Sequence, residues 1–204
     1  MNYYIADCHF GHKGVLLMDP RPFADVEQME ETMVMLWNAA VYKTDTVYFI
    51  GDFCWGKVDE WRRILRKLNG TKVLIKGNHD LGDFPADVEA MFADIKDKLE
   101  IVDYDKKGKA RKVILNHYPE MFYKHSCNEK YFMLCGHVHT TAENDWLEKW
   151  TKELQEARRN NPGFSGANCG QIYNVGAMMP WMNYTPRTLD EIIRQKAEWE
   201  ANRE

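Results

Sequence analysis

The chain has 204 residues, 45 % of them apolar, with 27 Lys and Arg against 31 Asp and Glu and a net charge of −4. That is apolar enough for a full core and excludes a disordered chain. The mildly acidic balance leaves no electrostatic footprint for long nucleic acid or an anionic membrane. No apolar run is long enough to span a bilayer. The opening Met1-Asn2-Tyr3-Tyr4-Ile5-Ala6-Asp7 has neither the basic nor the long apolar segment of a signal peptide, and it reads as a first strand.

In chain order, Tyr3 to Ala6 is a strand running into Asp7-Cys8-His9. A loop follows, marked by Gly11, Gly14, Pro20 and Pro22. Met29, Met33, Leu36, Trp37, Ala40 and Val41 recur at helical spacing and predict an amphipathic helix. Thr46 to Ile50 is a second strand, ending at Gly51-Asp52. Val58, Trp61, Ile64, Leu65 and Leu68 predict a second helix, stopped near Asn69-Gly70. Lys72 to Lys76 is a third strand, followed by Gly77-Asn78-His79-Asp80. Pro85 opens an expected third helix, with Val88, Met91, Phe92, Ile95 and Leu99 on its buried face.

This β-α-β-α-β-α rhythm predicts parallel strands with helical crossovers. Then the rhythm changes. Residues 100–105 and 109–115 read as a hairpin around Lys106-Lys107-Gly108, and the second strand ends at Asn116-His117. Tyr131 to Cys135 is a strand ending at Gly136-His137-Val138-His139. A helix is expected at 145–159, then a turn-rich stretch from Asn160 to Gly170. Ile172 to Val175 closes the sheet, and Leu189, Ile192, Ile193 and Ala197 mark a C-terminal helix. The stretch Met178-Met179-Pro180-Trp181-Met182 is open between a partner surface and packing under that helix. No repeat or linker interrupts the chain, so one domain over 1–204 is expected.

Cysteines are five, at positions 8, 54, 127, 135 and 169, with no CxxC spacing. An odd number without metal spacing fits reduced thiols and a cytoplasmic location.

The informative pattern is where the polar residues fall. Asp7 and His9, Asp52, Asn78 and His79, His117, and His137 and His139 each follow a predicted strand. Five of the seven histidines are in this set. Open α/β folds place ligands at that sheet edge. Two pairs, Asp7/His9 and His137/His139, are spaced i, i+2. On extended backbone that spacing puts both side chains on one side. Imidazole, carboxylate and amide oxygen together suit Mn, Fe, Zn or Ni. Seven donors exceed one tetrahedral site and suit two cations sharing a carboxylate.

The fragments D-x-H, G-D, G-N-H-D, N-H and G-H-x-H, in this order and each after a strand, resemble the calcineurin-like metallophosphoesterases. Asp7-Cys8-His9-Phe10-Gly11-His12, Asn174-Val175-Gly176, Pro186 and Leu189-Asp190-Glu191 resemble a small prokaryotic and phage-type branch. The resemblance implies a four-layer α/β/β/α sandwich and two divalent metal ions, Mn²⁺ first, with Fe, Zn or Ni as alternatives. It implies Asp7, His9, Asp52 and His139 on one metal and Asp52, Asn78, His117 and His137 on the other. It further implies attack on phosphorus by a metal-bridging hydroxide, with His79 as general acid and Asp80 orienting its ring. His12 and Tyr118 are candidates for lining the substrate, with Phe122 and Tyr123 beside Tyr118 in a loop.

Gly51-Asp52-Phe53-Cys54-Trp55-Gly56 lacks the arginine of the protein-phosphatase branch, and Asp80 stands where that branch has Glu. A small phosphodiester is therefore expected as substrate, with Arg21, Lys13 or Lys57 as the possible clamps that would favour a monoester instead. A phosphomonoesterase and a non-catalytic metal-binding scaffold are the alternatives. No membrane partner is expected, and the oligomeric state is not set by the sequence.

Overall fold

The computed structural model describes residues 1–161 and 170–203. Cys169 and most of the turn-rich stretch after the fifth helix lie outside the described residues. Two four-stranded sheets form the centre. In the first, β1 (Asn2–Ile5), β2 (Thr46–Ile50), β3 (Thr71–Ile75) and β4 (Asp94–Lys96) lie in that order, all parallel. In the second, β5 (Lys98–Tyr104) pairs antiparallel with β6 (Ala110–Asn116). Then β7 (Tyr131–Cys135) and β8 (Gln171–Asn174) follow in parallel.

The outer layers come from amphipathic helices. On one side, α2 (Val26–Ala40) buries Met29, Met33 and Trp37, and Asp25 caps it by accepting the Gln28 N–H at 2.7 Å. Beside it, α3 (Val58–Leu65) buries Trp61, Ile64 and Leu65, with acids in its first turn and arginines in its last, as the helix dipole favours. On the other side, α5 (Ala142–Arg159) sets Leu147 against Ile114, Met133, Cys135 and Ile172. The opposite face of that sheet, with Val113, Leu115, Phe132 and Leu134, joins the core shared with β1–β3. The order of layers is thus helix, sheet, sheet, helix. The last helix, α6 (Leu189–Ala201), starts with a reciprocal Thr188–Glu191 capping box. Trp199 of α6 packs on Trp181, and Met178, Met179 and Met182 are buried. The methionine-rich stretch is therefore packing.

Two local expectations change. The third helix is a single turn, α4 (Ala86–Glu89), and Ile95 and Leu99 lie in β4 and β5. The exposed edge of β3 decides this. Ala93 N–H donates to Lys72 O and Lys76 N–H to Lys96 O, both at 2.8 Å, so the segment gains a ladder that local periodicity cannot foresee. The Gly/Pro loop after β1 also holds a one-turn helix, α1 (Val15–Met18), which delivers Asp19 inward.

The sheets are stitched where the first motif begins. Ala6 N–H donates to Val175 O and Ala177 N–H to Ala6 O, each at 2.8 Å. This join brings the strand ends of both sheets together. Among the described residues no helix is long and apolar enough to cross a membrane, and Cys8, Cys54, Cys127 and Cys135 are free thiols.

Candidate metal centre

The candidate donors sit where the chain leaves β1, β2, β3, β6 and β7. Five of them have backbone that is not extended. Asp7, His9 and Asp52 have φ 51°, His137 71° and His139 44°. Left-handed non-glycine residues are uncommon and each costs about 1–3 kcal/mol. Five of them in one cluster store strain at a site that the surrounding packing holds in place. Of the i, i+2 pairs, Asp7 and His9 converge on one cluster, by tight left-handed turns rather than by strand alternation, whereas His137 and His139 turn to different partners. Gly136 permits a close approach: a Cβ there would lie 2.3 Å from Asp7 Oδ2.

Asp7, His9, Asp52 and His139 form the first cluster, all buried, with one donor atom from each within 4.8 Å of every other. His9 Nε2 and His139 Nε2 are 3.2 Å apart. His139 Nε2 is 3.6 Å from Asp7 Oδ1, and His9 Nε2 is 3.7 Å from Asp52 Oδ2. The other nitrogen of His139, Nδ1, donates to Asp19 Oδ2 at 2.6 Å. In a neutral ring the proton is therefore on Nδ1, and the lone pair of Nε2 faces His9 and Asp7.

The second cluster shares Asp52. His117 Nδ1 donates to the Ile50 carbonyl at 3.0 Å, which leaves the lone pair on Nε2. That nitrogen lies 3.0 Å from Asn78 Oδ1 and 3.6 Å from Asp52 Oδ2. His137 Nδ1 is also 3.0 Å from Asn78 Oδ1. Acceptors facing acceptors are the arrangement that a cation resolves. The donor chemistry fits divalent ions, and His117 and His139 are held from behind as metal-bound imidazoles usually are.

The electrostatics divide the donors: burial lowers His9 and His117, whereas against burial Asp19 and Asp7 raise His139. Burial first, then the Arg21 charge, lowers the His9 ring to about 2, so it stays neutral and keeps a lone pair. Burial, with the Asp52 charge, pushes the Asp7 carboxyl up to about 7 against the pull of His139, the His137 N–H and Arg21. A bound divalent charge reverses that preference and favours the carboxylate.

The remaining candidates are placed as follows. His79 is exposed at the rim, its ring 6.0 Å from His9 and 4.8 Å from Trp55, and its N–H donates to Asp52 Oδ1 at 2.9 Å. The hydrogen bonds of Asp80 run to the backbone. Its carboxylate accepts from the backbone N–H groups of Asp52, Phe53 and Gly77 at 2.8–3.0 Å. Asp80 thus ties the loop after β3 to the loop after β2. His12 stacks flat on Trp55, with centroids 4.1 Å apart. Tyr118, 46 % exposed, meets His137 edge-on at 4.6 Å and borders a groove of about 300 Å³ with Lys76, Asn78 and Asn116. Phe122 leans on Trp150, and Tyr123 is buried. Arg21 is buried and committed to Cys8 O, Asp7 O and Asp19 at 3.0–3.2 Å.

Residues 3–174 match the sequence profile of the calcineurin-like phosphoesterases. The chain belongs to that family. An uncharacterised protein of Methanocaldococcus jannaschii is 29 % identical over 194 residues, 94 % of this chain and 89 % of its own length. The Gene 66 protein of Mycobacterium phage L5 is 31 % identical over 132 residues, 57 % of this chain and 62 % of that protein. Both fit the prokaryotic and phage-type branch. A solved structure of a protein of unknown function from Aquifex aeolicus shares the fold, with a TM-score of 0.60 and 23 % identity over 95 % of this chain and 98 % of that one. Family and donor cluster together support a metal-dependent phosphoesterase.

In this calcineurin-like phosphoesterase one residue that supports the centre lies outside every motif, Asp19. Asp19 lies in a Gly/Pro loop, and only its contact with a residue 120 positions away reveals it. Its carboxylate also accepts from Thr140 Oγ1 at 3.2 Å. Replacing Asp19 by Ala is expected to weaken binding of the first metal roughly 10–100-fold, the usual cost of losing an outer-shell partner. Calorimetric titration of stripped protein with Mn²⁺ reads this directly, and unchanged affinity would remove Asp19 from the centre.

Proposed function

We propose that the protein hydrolyses a small phosphodiester at a dinuclear centre carried on one domain spanning 1–204. Asp7, His9, Asp52 and His139 would hold one divalent cation, and Asp52, Asn78, His117 and His137 the other. The carrying observation is the pair of acceptor clusters that share Asp52. Bound there, two divalent ions supply Lewis-acid polarisation of the phosphoryl oxygens and an acidified water.

The chain's own residues do the rest. Asp52 neutralises charge between the two clusters. Asp80 holds the loops after β2 and β3 in register through three backbone donors. His79, exposed beside the first cluster without joining it, protonates the leaving oxygen. A diester is favoured over a monoester because Arg21 is spent on backbone carbonyls and Asp19, so it is not available to clamp a phosphate dianion.

The test compares initial rates on bis-p-nitrophenyl phosphate and p-nitrophenyl phosphate, using stripped protein reloaded with Mn²⁺. A faster diester is expected. A faster monoester would make the protein a phosphatase with a different clamp, and no turnover with two metals bound would make it a scaffold. His79→Ala is expected to keep both metals and lose about 10²–10⁴ in rate on diesters with poor leaving groups, the usual range for a general acid. Equal rates for mutant and wild type on such substrates would take His79 out of the reaction.

A further inference from the structure

Trp55 is 40 % exposed, whereas its chain neighbour Phe53 and its backbone partner Phe10 are fully buried. An indole exposed beside the donor cluster offers a flat apolar surface on which a ligand ring can stack. The ring is also held in position. One side stacks on His12 with an interplanar angle of 12°. Its backbone is fixed as well: the Trp55 backbone N–H donates to Phe10 O at 2.7 Å, and Gly11 leaves room for the Trp55 carbonyl, which would lie 2.7 Å from a Cβ there. His79 is near both this ring and the first cluster, 4.8 Å from Trp55 and 6.0 Å from His9.

Beyond Trp55 opens a groove of about 430 Å³ lined also by Gly11, Lys13, Glu27, Glu30, Glu60 and Arg63. That volume suits one ring with a short arm. Arg63 is paired with both Glu30 and Glu60 at 2.6 Å. With three carboxylates against two cationic side chains, the groove repels a second phosphate on the same arm.

We propose that Trp55 is the stacking platform for an aromatic ring on the leaving alcohol, and that the preferred substrates are phosphodiesters whose leaving arm is aromatic and carries no further anionic group. This rests on the phosphoesterase reading above. The leaving oxygen then falls next to His79, and the ring extends into the groove past Trp55.

The test uses methyl p-nitrophenyl phosphate, whose only ring is on the leaving arm, with Mn²⁺-reloaded wild type, Trp55→Ala, Trp55→Leu and Trp55→Phe. Loss of the platform is expected to raise KM about ten-fold in the Ala and Leu variants, as for other base-on-aromatic contacts, while Phe largely restores it. Because p-nitrophenolate leaves without a proton, kcat should change little. Independently of turnover, calorimetry should show wild type preferring phenylphosphonate to methylphosphonate by about ten-fold, and Trp55→Ala binding both alike. Unchanged KM in Ala and Leu, or a surviving phenyl preference, overturns the proposal. So does equal weakening of both phosphonates, which would mean that Trp55 acts only by supporting His12. A wild type that binds neither phosphonate and cleaves no ester overturns the phosphoesterase reading itself, whereas an active wild type with unaffected variants overturns only the role of Trp55.

Discussion

Asp52→Asn is expected to lower kcat on bis-p-nitrophenyl phosphate by about 10³-fold, the upper range for removing one preorganised charge-stabilising group. Asp52 reaches imidazoles of both clusters through one oxygen, 3.7 Å from His9 Nε2 and 3.6 Å from His117 Nε2. Its second oxygen accepts the His79 N–H at 2.9 Å. Asparagine keeps the shape and can keep that backbone bond, but it removes the negative charge between two cations. Of the two carboxylates facing the centre, Asp7 alone would remain. The mutant should therefore bind fewer than two metal equivalents by elemental analysis while its metal-free melting temperature stays close to wild type. A mutant with two tight metals and near-normal turnover would show that Asp52 does not bridge.

Gly51→Ala is expected to have the largest effect on stability, about 2–5 kcal/mol, from two separable terms. Gly51 has φ +83°, where an L side chain costs about 1–2 kcal/mol. Its new Cβ would also lie 2.2 Å from His117 Nδ1, 2.5 Å from His117 Cγ and 2.8 Å from Gly77 Cα. Neither neighbour can yield easily, since His117 is fixed to the Ile50 carbonyl and Gly77 belongs to backbone held by Asp80. Such overpacking adds about 1–3 kcal/mol. For a chain of this size the melting temperature should fall by roughly 10 °C, and the metals should weaken because His117 is displaced. Gly108 supplies the control. It has φ +77°, but a Cβ added there would meet nothing within 4 Å, so Gly108→Ala should show only the backbone cost of about 1–2 kcal/mol. Equal losses at the two positions would mean that the contact with His117 is relieved at little cost.

Much of the fold was legible because its signals are local. Thr46–Ile50 is a strand in both readings, and the helix at Val26–Ala40 carries the expected Met29, Met33 and Trp37 face. The segment from Pro85 misled because its apolar spacing suits a helix, while a free sheet edge beside it offered hydrogen bonds from another part of the chain. Asp19 escaped because a single Asp in a Gly/Pro loop has no pattern. Trp55 escaped because its meaning lies in exposure, which an apolar letter does not encode.

The chemistry of the centre is written in the chain itself: which carboxylates, imidazoles and amide are present, and that each follows a strand. Strand ends show in short-range periodicity and turn residues, which a single chain displays openly. How those groups meet is a matter of tertiary contacts. Packing sends His139 to His9 and His137 to Asn78, turns the backbone left-handed at five donors, points two imidazole lone pairs inward through Asp19 and the Ile50 carbonyl, and gives Asp80 to the backbone. Most of these depend on contacts between residues tens of positions apart, closed when the two sheets join at Ala6 and Val175, and no local pattern carries that information.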